Sequence, residues 1–250
     1  MINELGPKER SLLFAKLAAI AYQDRIAKKD LKTLGFSVME FYNHQGAQAW
    51  RFEDRNNVVI ACRGTQPTEF NDIKADLRAL PVKAETVSRV HKGFKVEVDD
   101  IWPNVLEDIQ GTEKTIWFCG HSLGAAMATI MAARCHHEES LPNPEELYTY
   151  GSPRVGWGRY VRSFETKHIR WVNNNDIVTR VPFAWMGYRH DGKEHYMNAY
   201  GKVRKLTRWQ RVKDRWRGFT MGLKSGTIDN FSDHSMVNYI ANLEAHVKEN

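Results

Sequence analysis

The chain has 250 residues, 42% of them hydrophobic, and a formal net charge of +6. This is enough for one buried core, and no Pro/Gly/Ser-rich linker or fixed-period repeat divides the chain, so we expect a single domain over residues 1–250. The three widely spaced cysteines, Cys62, Cys119 and Cys135, lack the spacings of a disulfide framework or a zinc site. We therefore expect a reduced, metal-free chain.

The first apolar run, residues 12–22, follows a basic stretch and ends in small residues, as a secretory signal peptide does. Lys16 interrupts the run, acidic residues precede it, and Pro7 suits the first turn of a helix. The run is too short to span a membrane. We interpret it as a structural helix and expect a protein that is cytoplasmic or exported by a leaderless route.

The next segments predict an antiparallel start followed by alternating strands and helices. Short apolar runs joined by turn residues predict strands over residues 38–42, 47–52 and 58–62. Further strands are predicted at 115–119, 146–150 and 168–172, and helices within 90–109, over 123–137 and from about Asp233 onward. Such alternation is typical of a mainly parallel sheet covered on both faces, so the expected class is α/β.

Residues 117–133, WFCGHSLGAAMATIMAA, place Ser122 between two glycines at a predicted strand-to-helix turn. In a G-x-S-x-G turn the serine occupies a strained conformation at the carboxyl edge of the sheet. The N–H groups and dipole of the following helix favour negative charge that develops there. The pattern therefore predicts that Ser122 is a nucleophile.

A nucleophilic serine requires a base that accepts its proton and an acid that orients the base. Asp176 follows the predicted strand at 168–172, and His234 lies in a polar turn before the last helix. Ser122, Asp176 and His234 thus occur in the chain order of α/β-hydrolases. The alternatives to His234 are His91, His168, His190 and His195. Asp191, in a polar run that resembles an exposed turn, is the alternative to Asp176.

Several neighbouring residues have a structural explanation. His121 adjoins Ser122, but successive side chains in a tight turn point apart, so we expect it to pack against the strand layer. Cys62 and Cys119 lie in apolar predicted strands and are expected to be inert core thiols.

Six short motifs follow one another along the chain: ACRGTQ (61–66), VHKGF (90–94), FCGHSLGAAMA (118–128), YGSPRVG (150–156), NNDIVTRVP (174–182) and DHSM (233–236). In sequence and in order they resemble the motifs of the class 3 lipase family, the group of α/β-hydrolases that includes fungal triacylglycerol lipases. The resemblance implies an α/β-hydrolase fold with a mostly parallel central sheet, antiparallel N-terminal strands, helices on both faces and a helical lid. It also implies hydrolysis of carboxylic esters in lipids, without a metal or an organic cofactor.

The resemblance assigns roles by position. Ser122 matches the nucleophile, His234 the general base and acid, and Asp176 the group that orients His234. Thr65 and the backbone N–H of Leu123 match the donors of the oxyanion hole. The implied enzyme is a triacylglycerol lipase or esterase that acts on acylglycerols or other lipid esters through an acyl-enzyme. A phospholipase acting on anionic membranes and a non-catalytic binding protein of the same fold are the alternatives.

The family places a lid after the oxyanion-hole residue, so residues 66–80 are the lid candidate. Their apolar residues recur at helical spacing and form a narrow stripe opposite charged side chains. The stripe consists of Phe70, Ile73, Leu77 and Leu80. The alternative is an ordinary surface helix that stays packed on the core.

Residues 201–224 concentrate the positive charge, with nine Lys or Arg against one Asp, a net charge of +8. Trp209, Trp216 and Phe219 interleave with these charges. The pattern fits a solvated helix whose aromatic residues face the core, and it also fits peripheral contact with an anionic membrane or micelle surface. A nucleic-acid backbone would suit the charge as well, but no nucleic-acid partner is expected.

Overall fold

The computed structural model describes residues 2–64, 80–225 and 232–249, which contain two sheets and helices on both faces of the larger sheet. The strands are β1 (Val38–His44), β2 (Ala47–Glu53), β3 (Asn57–Cys62), β4 (Pro81–Lys83), β5 (Arg89–His91), β6 (Thr115–His121), β7 (Glu146–Tyr150), β8 (Gly156–Trp157), β9 (Lys167–Asn173), β10 (Tyr188–Arg189) and β11 (Lys193–Met197). The helices are α1 (Pro7–Ile20), α2 (Lys28–Thr33), α3 (Lys92–Ile109), α4 (Leu123–His136), α5 (Arg208–Ser225) and α6 (Met236–Lys248). Single 3₁₀ turns cover Ile2–Glu4, Val178–Arg180, Ala184–Met186 and Ser232–His234.

The central sheet has the strand order β1-β2-β3-β6-β7-β9-β11. The strands β1, β2 and β3 pair antiparallel, and every later neighbour in the sheet pairs parallel. Every residue of β3 and β7 is buried, as expected for inner strands that helices cover on both faces. The predicted α/β class with an antiparallel start is confirmed.

Successive residues of the inner strands supply two separate cores, because side chains alternate between the faces of a sheet. On one face, Phe118 packs in a core with residues of α3 and α4. On the other face, its neighbour Trp117 packs with α1 and α6. Phe14 of α1 stacks on Tyr148 of β7 with ring centroids 4.4 Å apart. The run at residues 12–22 is therefore a packed core helix, as the sequence predicts.

The short and polar strands differ from the sequence prediction. The second sheet, β10-β8-β5-β4, is built from segments of two or three residues, too short to show a period of two. The polar run around Asp191, interpreted as an exposed turn, instead leads into β11, which pairs parallel with β9. The segment at 90–109 begins with the end of β5, and its helix starts at Lys92.

Gly120 and Gly124 allow β6 and α4 to approach each other and β3 closely. A Cβ atom on Gly120 would overlap the backbone carbonyl of Gly124. A Cβ atom on Gly124 would overlap the backbone carbonyl of Cys62 and lie 2.7 Å from the carbonyl carbon of Arg63. Both neighbours are backbone, so neither can rotate aside. The turn between β6 and α4 is therefore fixed by the absence of side chains at these two positions.

We expect Gly124→Ala to lower the free energy of unfolding by about 1–3 kcal/mol, the usual cost of overpacking. Alanine normally stabilises a helix relative to glycine, so a loss identifies the clash with the Cys62 carbonyl as its cause. Chemical denaturation measures the change. Gly158→Ala is the matched control, because its nearest neighbour is the movable guanidinium of Arg162, at 3.1 Å. Equal stability of the two variants would contradict this explanation.

Candidate active site

Ser122 lies at the junction of β6 and α4 in a backbone conformation that few non-glycine residues adopt. Its φ is 59° and its ψ is −127°, and it is the N-cap of α4. Its N–H donates to the carbonyl of Tyr150 at 3.1 Å, and its own carbonyl accepts from Ala125 N–H at 3.0 Å. A positive φ at serine costs of order 1–3 kcal/mol, which the surrounding structure must offset. Ser122 thus has the strained strand-to-helix turn that the sequence predicts.

Asp176 is fully buried in the turn after β9, and both of its carboxylate oxygens accept hydrogen bonds. Oδ1 accepts from the backbone N–H of Val178 at 2.9 Å. Oδ2 lies 2.9 Å from Nδ1 of His234 and accepts from the hydroxyl of Tyr239 at 2.7 Å. A buried carboxylate needs such partners to remain charged. The hydrogen bonds fix the orientation of the Asp176 side chain.

His234 ends the 3₁₀ turn Ser232–His234, and its ring orientation follows from Asp176. The contact with Oδ2 requires a proton on Nδ1, so Nε2 of the neutral ring is the nitrogen that can accept one. Hydrogen bonds that involve backbone groups also join the Asp176 turn to the His234 turn. Asn173 Nδ2 donates to the carbonyl of Asp233 at 3.0 Å, and the N–H of Asn175 donates to the Asp233 carboxylate at 3.1 Å.

Tyr239 is a site residue that the sequence analysis missed. Its hydroxyl accepts from the N–H of Asn173 at 3.0 Å while donating to Asp176, so it joins α6 to the turn that carries Asp176. Burial, together with the adjacent Asp176 carboxylate, raises the pKa of Tyr239 well above its usual value. The hydroxyl therefore keeps the proton that it donates. Local patterning gives no sign of this role, because Tyr239 occupies an ordinary core position of an amphipathic helix.

His121 connects the serine turn to the His234 turn. Its Nε2 donates to the backbone carbonyl of His234 at 2.6 Å, and its Nδ1 then accepts from the hydroxyl of Tyr22 at 2.7 Å. The rings of His121 and His234 lie 4.4 Å apart between centroids. Burial first, and His234 second, hold the pKa of His121 well below its usual value. Both ring nitrogens of His121 are thus occupied, which makes it a support rather than a base, as the sequence analysis expected. Among the residues that the structure describes, however, its contacts are with the His234 turn and Tyr22, and not with the strand layer against which it was expected to pack.

Gly151 shows how closely the three turns approach one another. It follows Tyr150, which binds the N–H of Ser122, and it has a φ of +60°. A Cβ atom at this position would lie 2.6 Å from Oδ2 of Asp176 and 2.8 Å from ring atoms of His234. The glycine is required both by its positive φ and by the space that the two side chains occupy. The structure thus gathers Ser122, Asp176 and His234 at one end of the sheet.

The oxyanion-hole residues predicted from the family are partly described. Leu123 is the first residue of α4, so its N–H belongs to the first turn, where helical N–H groups have no intrahelical partner. Thr65 lies outside the described residues. The preceding Gly64 borders the serine, because a Cβ atom there would lie 3.2 Å from Cβ of Ser122.

The lid candidate, residues 66–80, lies outside the described residues except for its last member. Phe70, Ile73 and Leu77 are not described. Leu80 is exposed, and its carbonyl accepts from the N–H of Lys92 at the start of α3.

The alternative histidines have partners of their own. His168 Nδ1 lies 2.8 Å from Oδ2 of Asp191, and its Nε2 lies 2.7 Å from the hydroxyl of Thr149. Asp191 is therefore not in an exposed turn, and that interpretation was wrong. Burial lowers the pKa of His168 despite the carboxylate. Within the described residues, the histidine that contacts Asp176 is His234.

The other three histidines are held in their neutral form. The Nε2 atom of His190 lies 2.8 Å from the carbonyl of Thr179, and burial with Arg170 nearby lowers its pKa to about 2. His195 packs on Trp171 with centroids 4.9 Å apart, and burial lowers its pKa. His91 stacks on Phe94 at 4.2 Å, and burial lowers its pKa to about 4.

The cysteines behave as core residues. All three thiols are free and buried, and burial raises the pKa of each of them. They therefore stay protonated and unreactive at neutral pH. Within residues 2–64, 80–225 and 232–249, no three His, Cys, Asp or Glu side chains form a group able to hold a metal ion.

The basic segment forms the helix α5, and its described tryptophans face outward. Trp209 and Trp216 are both exposed, so the interpretation in which the aromatic residues face the core was wrong for these two. The side chain of Phe219 lies outside the described residues. In the part of the chain that the structure covers, no helix combines the length and apolar character needed to cross a bilayer.

Comparison with known proteins identifies the family. The sequence model of the family Lipase (class 3) matches residues 59–186, slightly more than half of the chain. The chain belongs to the class 3 lipase family. Ser122 and Asp176 lie inside the matched region of this family member, and His234 lies beyond it.

Curated relatives of this class 3 lipase family member include a lipase from Rhizomucor miehei, 31% identical over 183 residues that cover 68% of this chain and 50% of the relative. Another is the toxin TseL of Vibrio cholerae, which is 36% identical over 137 residues that cover 51% of this chain and 21% of the toxin. A secreted mono- and diacylglycerol lipase of Fusarium solani is 33% identical over 118 residues, which cover 44% of this chain and 34% of that lipase. The chain thus spans half or less of the length of these relatives.

Solved structures show the same fold. A triacylglycerol lipase described as having a serine protease triad superposes with a TM-score of 0.66 at 26% identity, covering 76% of this chain and 79% of that one. The Rhizomucor miehei triacylglyceride lipase superposes with the same TM-score at 25% identity, covering 77% and 82%. The class 3 lipase family member therefore has the α/β-hydrolase fold that its sequence predicts.

Buried neutral histidines make the stability of the protein dependent on pH. Unfolded histidine has a pKa near 6.5, so between that pH and the lower folded pKa the unfolded chain binds more protons. The free energy of unfolding should therefore fall as the pH falls below 6.5. His91→Phe preserves the ring that stacks on Phe94 and removes one titrating group.

We expect His91→Phe to reduce this loss of stability by up to about 1.4 kcal/mol per pH unit between pH 6.5 and 4. Urea denaturation at several pH values measures the slope. His44→Phe, at an exposed position of β1, is the control and should retain the wild-type slope. An unchanged slope in His91→Phe would show that His91 is protonated in the folded protein.

Proposed function

We propose that this protein is a serine hydrolase of carboxylic esters in lipids, with Ser122, Asp176 and His234 as its catalytic triad. The observation that carries the proposal is that a strained serine turn lies, through His121 and Gly151, beside a histidine that is hydrogen-bonded to a buried aspartate. Related proteins named as lipases support lipid esters as the substrate class.

In the first step, Oγ of Ser122 attacks the ester carbonyl while Nε2 of His234 accepts the hydroxyl proton. Asp176 keeps the proton on Nδ1 and stabilises the imidazolium that forms. His234 then gives the proton to the leaving alkoxide, and the alcohol departs from an acyl-enzyme. In the second step His234 deprotonates water, which attacks the acyl-enzyme and releases the carboxylic acid. Ser122 recovers its proton from His234.

In the structure, the hydroxyl of Ser122 has no hydrogen-bond partner within the described residues. Contacts between nucleophile and base are often long in unliganded enzymes and shorten when substrate binds. We propose that the contact with His234 forms in this way. The backbone N–H of Leu123 and donors of Thr65 would hold the oxyanion, and each such donor contributes about 2.7–4 kcal/mol to transition-state stabilisation.

The proposed lid, residues 66–80, would regulate access to Ser122. An amphipathic segment that opens would expose its apolar stripe to lipid and uncover the nucleophile. Gly64, two residues before this segment, borders Ser122.

Acylglycerols are the proposed substrates, and phospholipids are the second candidate. The observation that favours phospholipids is the cationic segment 201–224, which suits peripheral contact with an anionic membrane or micelle surface. Comparing hydrolysis of dispersed triacylglycerol with that of phosphatidylcholine and phosphatidylglycerol vesicles distinguishes the two classes.

We expect Ser122→Ala to reduce kcat/KM for p-nitrophenyl esters by about 10⁴-fold or more, because the nucleophile is lost. Initial rates with a series of esters from acetate to palmitate measure the effect and the preferred chain length. Ser163→Ala is the matched control, since its hydroxyl donates to the carbonyl of Tyr160. Equal rates in wild type and Ser122→Ala, or no activity in either, would refute the proposal.

A further inference from the structure

The outward face of α5 carries an exposed apolar stripe made of Trp209, Val212 and Trp216. These side chains are 76%, 57% and 68% exposed. Their spacing of three and four residues places them on one side of a helix. The exposed residues Lys213 and Arg217 flank the stripe, and Arg204 and Lys205 precede the helix and are also exposed. The result is an apolar stripe within a cationic surface.

The opposite face of α5 is fixed to the domain by buried polar contacts. Asp214 is nearly fully buried, and its Oδ2 accepts from the hydroxyl of Tyr196 at 3.0 Å and from the N–H of Ala199 at 3.1 Å. Arg211 lies over the ring of Tyr196 at 4.6 Å and pairs with Glu194 at 2.6 Å. These contacts determine which side of α5 faces the solvent. The exposure of the two tryptophans is thus a consequence of how the helix is anchored.

The anchored face also contacts the turn that carries the proposed catalytic acid. The side-chain amide of Asn175, next to Asp176, donates to the backbone carbonyl of Arg215 at 2.9 Å. One helix therefore contacts the active-site turn on one side and presents the tryptophan stripe on the other.

We propose that the stripe formed by Trp209, Val212 and Trp216 is a docking surface for anionic lipid, in which the two indole rings enter the interfacial region of a bilayer or micelle. Indole rings prefer this region because they combine a large apolar surface with one polar N–H group. The surrounding Lys and Arg side chains would bind anionic head groups. This docking deepens the proposed function, because it would hold the Asp176 turn beside a lipid surface, but binding itself does not require catalysis.

The composition of the stripe favours lipid over nucleic acid. Val212, between the two tryptophans, can neither stack on a base nor bind a phosphate. Arg211, which could bind a phosphate, is turned inward and paired with Glu194. A nucleic-acid surface would be expected to have a stacking ring or a cation, rather than an aliphatic side chain, at the centre of its outward face.

The test measures binding to vesicles with Ser122→Ala as the background, so that hydrolysis does not alter the vesicles. The vesicles contain phosphatidylcholine alone or an equimolar mixture with phosphatidylglycerol. We expect the mixed vesicles to bind more tightly, and added NaCl to weaken that binding because it screens the charges. Substituting Trp209→Ser, Val212→Ser and Trp216→Ser together should weaken binding to mixed vesicles by at least about tenfold.

Trp185→Ser is the matched control, because Trp185 is 82% exposed but lies in the segment Phe183–Gly187, outside α5 and its stripe. It should change binding by less than about twofold. A second variant, Arg204→Gln with Lys205→Gln, should reduce the salt dependence of binding to mixed vesicles. This variant keeps the test decisive if the triple variant unfolds. Circular dichroism and hydrolysis of soluble p-nitrophenyl acetate by the stripe variant with Ser122 restored check the fold.

Four results would overturn the docking proposal: equal binding to both vesicle types, wild-type affinity in the folded stripe variant, an equal loss in Trp185→Ser, or tighter binding to duplex DNA than to mixed vesicles. The proposed function is tested separately. If the protein binds mixed vesicles as expected but hydrolyses no ester, the docking proposal stands and the catalytic proposal fails. If it hydrolyses soluble ester but does not bind mixed vesicles, the catalytic proposal stands and the docking proposal fails.

Discussion

The strained backbone of Ser122 is the constraint on which the rest of the site depends. A φ of 59° at serine is unfavourable, and it persists because β6, α4 and β3 meet where Gly120 and Gly124 carry no Cβ atom. The central sheet and the buried, alanine-rich helix α4 hold the two sides of this turn in place. Packing of the hydrophobic core thus offsets the backbone strain at Ser122 and holds its side chain at the end of the sheet, beside the His234 turn.

The second requirement is that loops far apart in the chain meet at this serine. The turns containing Asp176 and His234 are separated by 58 residues, yet they share hydrogen bonds through Asn173, Asn175 and Asp233. Tyr239 adds a bond from the core helix α6. His121 binds the backbone of His234 while remaining neutral. The site is therefore positioned by hydrogen bonds from several segments, and it does not rely on a single loop conformation.

The central features of this arrangement can be predicted from sequence because they depend on local patterns. The glycines around Ser122, the apolar strand before it and the alanine-rich helix after it all lie within residues 117–133. The order of Asp176 and His234 follows from the α/β-hydrolase topology. The antiparallel start is equally visible, because turn residues separate three short apolar runs.

Other features depend on contacts between distant segments, and sequence patterns do not reveal them. The edge strand β11 is polar, so it resembles a turn, and Asp191 is partly buried through a pairing with His168 that spacing does not predict. Tyr239 resembles any other core residue of an amphipathic helix until its hydroxyl is seen beside Asp176. The outward direction of Trp209 and Trp216 is set by the buried Asp214 on the other side of α5.

The central claim is that His234 activates Ser122, and fluorophosphonate labelling followed by peptide mass spectrometry tests it most directly. The account predicts one adduct, on the peptide that contains Ser122, and a labelling rate at least about 10³-fold lower in His234→Gln because the base is removed. An adduct on another serine, no adduct on the folded protein, or an unchanged rate in His234→Gln would contradict it.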